Sequence, residues 1–348
     1  MLSISVVMPT FNTDTEILKE AVDSILSQTF KDFEFIIIDD GSTDNSVLYL
    51  DSLTDERIRL IRNTTNLGIT KSLNIGLRAA KGKYIARMDS DDIALPTRFE
   101  KQFLFMETHP DVIVCGTYAE CFGAVSRVFR DTITDMEEYR VKSVFRNPGP
   151  IHPTVFINRE LLQQYNIAYD ENLIYAQDYG IWTEISRRGK IYVLEEILLR
   201  YRVHSLQISE LHREKQDKCA MMVQKKLLTE LLGNITDEEL RLHYQYSTIV
   251  NHDIKATVEM RDWFQKLVEA NDRAGIYDKK KFKHYIYDFI MTSRVYDSFT
   301  RDMLYIHKLA LFFRFMPFRF AVKGAVDKIV KGAVNVSVKL VSKLHKAQ

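Results

Sequence analysis

The chain has 348 residues, of which 46% are hydrophobic and 27% are charged. This length and composition suit one large or two modest globular domains and argue against long disordered segments. No run of about 18 apolar residues occurs, so we expect no transmembrane helix, and no basic leader precedes the first apolar run, so we expect no signal peptide.

Strands and helices are predicted to alternate through the first hundred residues. The strand-like apolar runs are Ser3–Met8, Phe33–Ile38, Ile58–Ile61 and Lys83–Met88, and the helical patterns are Thr13–Gln28, Thr43–Leu53 and Ile69–Ala80. This alternation predicts a doubly wound α/β sheet with parallel strands. The continuous apolar runs agree, because strands of such a sheet are covered on both faces.

The middle of the chain continues the mixed pattern, and its last part becomes helical. Helices are predicted at Pro96–His109, Asp135–Phe145 and Asp178–Arg188, strands at Val112–Gly116 and Ile191–Tyr201, and a hairpin or edge strand at Tyr118–Phe129. We predict an α/β domain over residues 1–205, a helical region over 206–300 and a basic tail over 301–348.

An acidic cluster, Asp89-Ser90-Asp91-Asp92, follows the fourth predicted strand. Two carboxylates at positions i and i+2 can reach one hard cation, and Mg²⁺ often completes its ligand shell with substrate phosphates. A turn or helix cap is the alternative interpretation. A place at a strand end, where open α/β sheets bind ligands, favours the metal.

A second cluster, Asp39-Asp40, ends the second predicted strand. A carboxylate at this place can accept a hydrogen bond from N3–H of uracil. Capping of the following helix is the alternative, and Ser42 or Asp44 could serve that purpose. Both interpretations can hold on different residues.

Further motifs accompany the two clusters in a fixed order. They are Val6–Asn12, Ser27–Phe30, Asp39–Asp44, Asn66–Gly68, Met88–Asp92, His152–Thr154, Gln177–Trp182 and Tyr201–His204. Together they resemble family 2 glycosyltransferases of the GT-A fold, and the later motifs resemble transferases that build bacterial capsules and lipopolysaccharide O-chains. The resemblance covers about residues 3 to 206 and implies a mixed sheet, with a helical region beyond it.

The resemblance also implies roles for individual residues. The implied nucleotide-sugar site comprises Pro9, Thr10, Asn12, Asp39, Asp40, Lys71, Asp89, Ser90, Arg202 and His204. Asp89 and Asp91 would ligate Mn²⁺ or Mg²⁺. Arg202 and His204 lie two residues apart on an extended segment, so their side chains are expected on the same side of it. There they could reach the pyrophosphate or the metal, and a surface pair without a binding role is the alternative.

Asp178 is the candidate catalytic base. The family usually has two acids here, whereas this chain has Gln177-Asp178, which keeps the second acid. An inverting transfer needs a carboxylate to accept the proton of the attacking hydroxyl. The alternative is an acid that is favoured by the dipole at a helix N-terminus.

The acceptor site is expected to include His152 and Trp182. His152 precedes a proline, which favours an extended backbone, so a loop residue without a binding role is the alternative. Trp182 could stack on a sugar ring, and a core tryptophan on a helix is the competing interpretation.

The tail over residues 301–348 carries ten Lys or Arg residues against two acids. After Pro317, apolar residues recur every three to four positions with lysines between them, as in a basic amphipathic helix on an anionic bilayer. Packing of this helix on the α/β domain is the alternative. We expect no nucleic-acid partner, because no nucleic-acid motif accompanies the charge.

The resemblance, together with the acidic clusters and the basic tail, implies an inverting, metal-dependent hexosyltransferase that uses a UDP-hexose or its N-acetyl form and a lipid-linked oligosaccharide acceptor. We expect it on the cytoplasmic face of the bacterial inner membrane, and its three cysteines, which lack metal-ligand spacing, agree with a reducing compartment. A nucleotidyltransferase and a non-catalytic scaffold subunit are the alternatives. The sugar, the linkage and the oligomeric state stay open.

Overall fold

A computed structural model describes residues 2–203, 213–247 and 258–292. Its contacts divide the chain into a first compact unit, Met1–Tyr244, and a second, Gln245–Gln348. His204 and the whole predicted tail lie outside the described residues.

Within the described residues, nine strands form one sheet. They are β1 (Ile4–Thr10), β2 (Phe33–Asp39), β3 (Ile58–Arg62), β4 (Tyr84–Arg87), β5 (Ile93–Ala94), β6 (Val112–Gly123), β7 (Arg127–Phe129), β8 (Phe156–Asn158) and β9 (Lys190–Val203). Their order is β3-β2-β1-β4-β8-β6-β9-β5, with β7 paired to β6. β1 to β4 pair in parallel, whereas β8 is antiparallel to both of its neighbours. The sheet is therefore mixed, as predicted.

The helices of the first unit connect these strands and then extend the chain. They are α1 (Thr15–Leu26), α2 (Ser46–Ser52), α3 (Ile69–Ala79), α4 (Arg98–Thr108), α5 (Met136–Phe145), α6 (Arg159–Gln164), α7 (Gln177–Ile185), α8 (Arg213–Leu232) and α9 (Asp237–Ser247), which ends three residues into the second unit. Helix α1 begins after Asp14, whose carboxylate accepts from the N–H groups of Glu16 and Ile17. Such a cap satisfies N–H groups that have no partner inside the helix.

Side chains on the two faces of the sheet enter two separate cores. Val6 and Met8 of β1 pack in one core with α1 and with Phe99 of α4. Val7 packs in the other with Leu73 of α3 and with residues of α5 and α7. Burial of one such large side chain contributes about 1.5–3 kcal/mol. Because successive side chains of β1 enter opposite cores, the whole strand is buried and its sequence is an almost continuous apolar run.

The first unit continues past residue 205, where the sequence analysis ends the α/β domain. Helix α8 packs against α5 and α7, and its Gln224 Nε2 donates to the Phe145 carbonyl at 2.6 Å. Arg187 forms an ion pair with Glu230 of the same helix. The helix therefore belongs to the first unit and packs on α5 and α7.

The second unit contains α10 (Val258–Ala274) and α11 (Lys279–Thr292). The turn between them is fixed by Asn271, whose amide donates to the Tyr277 carbonyl and accepts from the Tyr277 N–H, both at 3.0 Å. Among the described residues of the chain, none of the helices has the length and apolar character needed to span a bilayer.

Candidate active site

The candidate site lies where β1, β2 and β4 end. β1 is parallel to both of the other strands, and Thr10 at its end lies beside Asp39 of β2. Because parallel strands end at the same edge, the two acidic clusters of the sequence flank the end of β1. Pro9 and Thr10 are both buried at this edge.

Loop contacts join the ends of β1 and β2. The Asn12 N–H donates to Ser42 Oγ at 3.0 Å, and Asn12 Oδ1 accepts from the Thr43 N–H at 2.9 Å. Asn12 has φ of 46°, a left-handed conformation that asparagine tolerates better than most residues. Asn12 thus shapes the loop of the predicted nucleoside pocket.

Asp39 is 2% exposed at the end of β2. Its carboxylate accepts from the Ser42 N–H at 2.9 Å and pairs with Arg62 Nε at 3.3 Å. The turn that follows needs Gly41, which has φ of +78° and whose hypothetical Cβ would lie 2.7 Å from the Thr65 backbone. A carboxylate accepts at about four sites, so these two bonds leave capacity for a ligand.

Asp40 is also buried, and its hydrogen bonds give it a structural role. It accepts from Asn63 Nδ2 at 2.7 Å, from the Leu67 N–H at 2.9 Å and from the Gly68 N–H at 2.8 Å. These bonds hold the loop that precedes α3. Lys71, on the first turn of that helix, is exposed. The direct contact predicted between Asp40 and the nucleoside stays a prediction.

A chain of hydroxyls links the end of β1 to the turn after β4. Thr10 Oγ1 lies 3.0 Å from Thr13 Oγ1, which lies 2.9 Å from Ser90 Oγ. Thr13 was not among the residues predicted for the site. Its two contacts connect the nucleotide edge to the acidic turn.

The turn after β4 brings three carboxylates together. Oxygens of Asp89, Asp91 and Asp92 all lie within 4.8 Å of one another. Asp92 is 1% exposed, and its Oδ2 is buried without a hydrogen-bond partner. Burial and the charges of Asp89 and Asp91 raise the pKa of Asp92 well above its ordinary value. Buried carboxylate oxygens without partners suit a hard divalent cation, so the residues present fit Mn²⁺ or Mg²⁺.

The spacing of the acidic cluster predicts Asp89 and Asp91 as metal ligands but not Asp92. The available signal was its place next to Asp91 at the end of an apolar strand. Its burial could not be inferred, because it depends on β9. There the Arg202 N–H donates to Asp92 Oδ1 at 2.8 Å.

Arg202 anchors the acidic turn. Its Nε donates to the Asp91 carbonyl at 2.7 Å, and its Nη2 pairs with Glu20. Its guanidinium also lies over the ring of Phe122, 4.5 Å from the centroid. The predicted contact of Arg202 with a pyrophosphate stays a prediction, and its predicted companion His204 is not among the described residues.

Asp178 lies in the first turn of α7 and is half-buried. It accepts from Asn147 Nδ2 at 2.9 Å and from the Tyr179 N–H at 2.8 Å. Burial raises the pKa of Asp178, although these two hydrogen bonds and the charge of Arg87 oppose the shift. A carboxylate with a raised pKa is a stronger base than one in water.

His152 is buried against aromatic rings. Its Nε2 lies 2.8 Å from the Tyr169 hydroxyl, and its ring meets Trp182 edge to face. Burial, with a contribution from Arg87, lowers the pKa of His152 well below its ordinary value. His152 is therefore neutral at physiological pH and braces the aromatic cluster. Its contact with an acceptor stays a prediction.

The structure places Trp182 in the core, where it cannot stack on a sugar as expected. Its side chain is 0% exposed, and a Cβ on Gly149 would lie 2.1 Å from Trp182 Cδ1. Neither face of the indole is open to a sugar in this structure. The residue packs in the core, which is the competing interpretation named above.

Comparisons with known proteins address the family. Residues 5–166 match the model of Glycosyl transferase family 2. An uncharacterized glycosyltransferase of Haemophilus influenzae is 32% identical over 248 residues, which are 67% of this chain and 75% of that protein. The Escherichia coli protein WfaP, a UDP-Glc:α-D-GlcNAc-diphosphoundecaprenol β-1,3-glucosyltransferase, is 30% identical over 59% of this chain and 79% of its own length.

Solved structures agree on the fold. Residues 1–349 of S. aureus TarS, in complex with UDP-GlcNAc, match with a TM-score of 0.57 at 18% identity, over 87% of this chain and 93% of that one. The chain covers 56% of a longer TarS structure. The mannosyltransferase PcManGT of Pyrobaculum calidifontis, in complex with GDP-Man and Mn²⁺, matches with a TM-score of 0.50 at 15% identity, over 83% of this chain and 80% of that one.

These findings favour a sugar transferase over the nucleotidyltransferase considered above. The family match covers the α/β core that carries both acidic clusters, and the bacterial relatives are matched over most of their own length. The chain is a glycosyltransferase and belongs to glycosyl transferase family 2.

Proposed function

We propose that this glycosyltransferase moves a hexose, or its N-acetyl form, from a UDP-sugar to a lipid-linked saccharide with inversion at the anomeric carbon. The observation that carries the proposal is the buried, unpartnered oxygen of Asp92 beside the carboxylates of Asp89 and Asp91. This arrangement fits a cation and the diphosphate that it would accompany.

The donor class is supported by the nucleotide edge and by relatives. Thr10, Asn12 and Asp39 offer hydroxyl, amide and carboxylate groups beside the acidic turn. WfaP is a glucosyltransferase that takes UDP-Glc as its donor, and TarS has been solved in complex with UDP-GlcNAc. Asp39 can accept a hydrogen bond from the uracil N3–H, which would distinguish uracil from cytosine.

Asp89, Asp91 and Asp92 would hold Mn²⁺ or Mg²⁺, and Mn²⁺ is present in the PcManGT complex. When bound, such a cation neutralises the charge that develops on the leaving diphosphate. Arg202 fixes the acidic turn through the Asp91 carbonyl and Asp92. The backbone of Asp91 and the carboxylate of Asp92 are therefore held in place before substrate arrives, which is the condition for electrostatic stabilisation.

Asp178 acts on the acceptor. Its carboxylate accepts the proton of the acceptor hydroxyl while the hydroxyl oxygen bonds to the anomeric carbon and the bond to the UDP oxygen breaks. Attack from the face opposite UDP inverts the configuration, and the transition state has oxocarbenium character. Asn147 and the Tyr179 N–H orient the carboxylate, and burial, by raising the pKa of Asp178, strengthens it as a base.

We also propose that the chain acts at the cytoplasmic face of the bacterial inner membrane, in the synthesis of a surface polysaccharide. The support is the basic, amphipathic pattern of residues 301–348 and the diphosphoundecaprenol-linked acceptor named for WfaP. A basic segment of this kind would keep the enzyme next to an acceptor that is confined to the bilayer.

A donor screen tests the proposal. UDP release would be measured for a panel of UDP-, GDP- and dTDP-sugars with a short-chain lipid-diphosphate saccharide as acceptor, and NMR would give the configuration of the new linkage. We expect release from a UDP-hexose and an inverted product. A retained configuration, or turnover confined to GDP- or dTDP-sugars, would contradict the proposal.

A further inference from the structure

Arg87 is a charged residue at the end of an otherwise apolar, buried strand. The three residues before it in β4, Tyr84, Ile85 and Ala86, are each at most 1% exposed, and the Arg87 side chain itself is 4% exposed. Burial of a guanidinium is costly unless the group is paired. Packing alone would be served better by an apolar residue, so the position calls for a role that needs the charge.

The main chain of Arg87 is fixed from both sides. Its N–H donates to the Val155 carbonyl at 3.0 Å, and its carbonyl accepts from Arg98 Nη2 at 2.8 Å. Its Nη1 donates to Asp89 Oδ2. The guanidinium therefore reaches the acidic turn from a backbone that has little freedom to move.

One donor of the guanidinium is unused in this structure. Arg87 Nε is buried and has no hydrogen-bond partner. The charge also acts beyond Asp89, because it opposes the rise in the pKa of Asp178 and contributes to the lowered pKa of His152. Arg87 is thus within electrostatic range of the candidate metal ligands and of the candidate base.

We propose that Arg87 is a positioning residue for the transfer reaction: it holds one oxygen of Asp89, so that the carboxylate is oriented toward Asp91 and Asp92 and the cation site is complete. The inference rests on the proposed function, because it assigns the orientation of a ligand to the proposed metal. A charged partner that fixes a ligating carboxylate typically changes metal affinity by about 10- to 100-fold when it is removed.

A second buried arginine supplies a matched control. Arg98 is 0% exposed, and it donates to Gln102 Oε1 at 3.1 Å and to the Arg87 carbonyl. These hydrogen bonds, and a contact with Met88 Sδ, go to neutral groups rather than to the carboxylates of the acidic cluster. Substitution at either position perturbs a buried guanidinium of the same unit, but only the one at Arg87 removes a direct contact with Asp89.

The test measures binding of Mn²⁺ in the presence of saturating UDP by isothermal titration calorimetry, on full-length wild type, R87M, R87K and R98K. Thermal unfolding by circular dichroism checks that each variant is folded. We expect R87M to bind Mn²⁺ about 10- to 100-fold more weakly than wild type. R87K should also be weaker, since a lysine is a point charge without the planar donor set of arginine. R98K keeps the direct contact between Arg87 and Asp89, so its loss of Mn²⁺ affinity should be clearly smaller than that of R87K.

The outcomes separate this inference from the proposed function. Wild-type protein that binds no Mn²⁺ with UDP refutes the metal part of the proposed function itself. If wild type binds Mn²⁺ and either folded Arg87 variant binds it equally well, the positioning role is refuted while the metal site stands. Equal losses in R98K and R87K would also refute it, because they would show a general effect of altering a buried arginine.

Discussion

Replacement of Asp178 by asparagine is the sharpest perturbation of the proposed chemistry. The carboxylate accepts from two donors, Asn147 Nδ2 and the Tyr179 N–H. An amide has one oxygen, so Asp178→Asn keeps one of these bonds and turns its own NH₂ toward the other donor. Asn147 cannot simply rotate, because its Oδ1 accepts from the Gly149 N–H at 3.0 Å. The lost hydrogen bond costs about 1 kcal/mol.

Loss of the base is the larger effect. A positioned general base contributes about 10²- to 10⁴-fold to the rate, or about 3 to 5 kcal/mol of barrier. We therefore expect kcat of Asp178→Asn to fall by about that factor while UDP-sugar binding is kept.

The assay combines UDP release under saturating substrates with calorimetric binding of UDP. Asn147→Ala is the matched control: it removes a hydrogen bond to Asp178 but leaves the carboxylate, so kcat should fall by less than about tenfold. A normal rate per bound donor in Asp178→Asn, together with a collapse of donor affinity, would show that Asp178 binds the donor and is not the base.

Three further outcomes are expected, two from the structure and one from the sequence of the tail. Because burial raises the pKa of Asp178 in the folded state, the wild type loses stability relative to Asp178→Asn as pH rises from about 4. Thermal unfolding at several pH values checks this. A stability difference between the two proteins that does not change with pH would refute the raised pKa of Asp178. Trp182→Ala should lower the free energy of unfolding by about 3–5 kcal/mol in denaturant titration, as for a core residue. Unchanged stability together with a raised KM for the acceptor would instead support stacking on a sugar. Truncation after Met316 should weaken co-sedimentation with anionic vesicles in a salt-dependent manner without unfolding the first unit, and equal sedimentation of both forms would place the anchor elsewhere.

Much of the fold was predictable because β1, β2 and β4 are buried on both faces. β1 and β2 read as continuous apolar runs, and the predicted Phe33–Ile38 differs from the observed Phe33–Asp39 by one residue. The pairing of β6 with β9 was not predictable. It joins residues far apart in the chain, and the local pattern of either strand contains no information about its partner.

The position of Asp39, Asp89 and Asp91 at one edge of the sheet was predictable from sequence, because parallel strands bring their ends to one edge, whereas the burial of Asp92 depends on its contact with β9. The role of Arg87 was not predicted, because a single cationic residue after Tyr84-Ile85-Ala86 does not indicate which carboxylate it pairs with. Asp40 shows the same limit: its acidic character was evident, but its three bonds to the loop before α3 depend on the folded chain. Residue type indicated the chemistry, and tertiary contacts decided the role.

The proposed function depends on metal-dependent transfer from a UDP-sugar at the cluster of Asp89, Asp91 and Asp92. The most direct measurement is UDP release by wild type and by folded Asp91→Asn, each with Mn²⁺ and with EDTA. We predict turnover by wild type in Mn²⁺, its loss in EDTA with recovery on added Mn²⁺, and almost none for Asp91→Asn in either condition, because an amide is a poor ligand for a hard cation. Undiminished turnover in EDTA, or full activity of Asp91→Asn, would contradict the account.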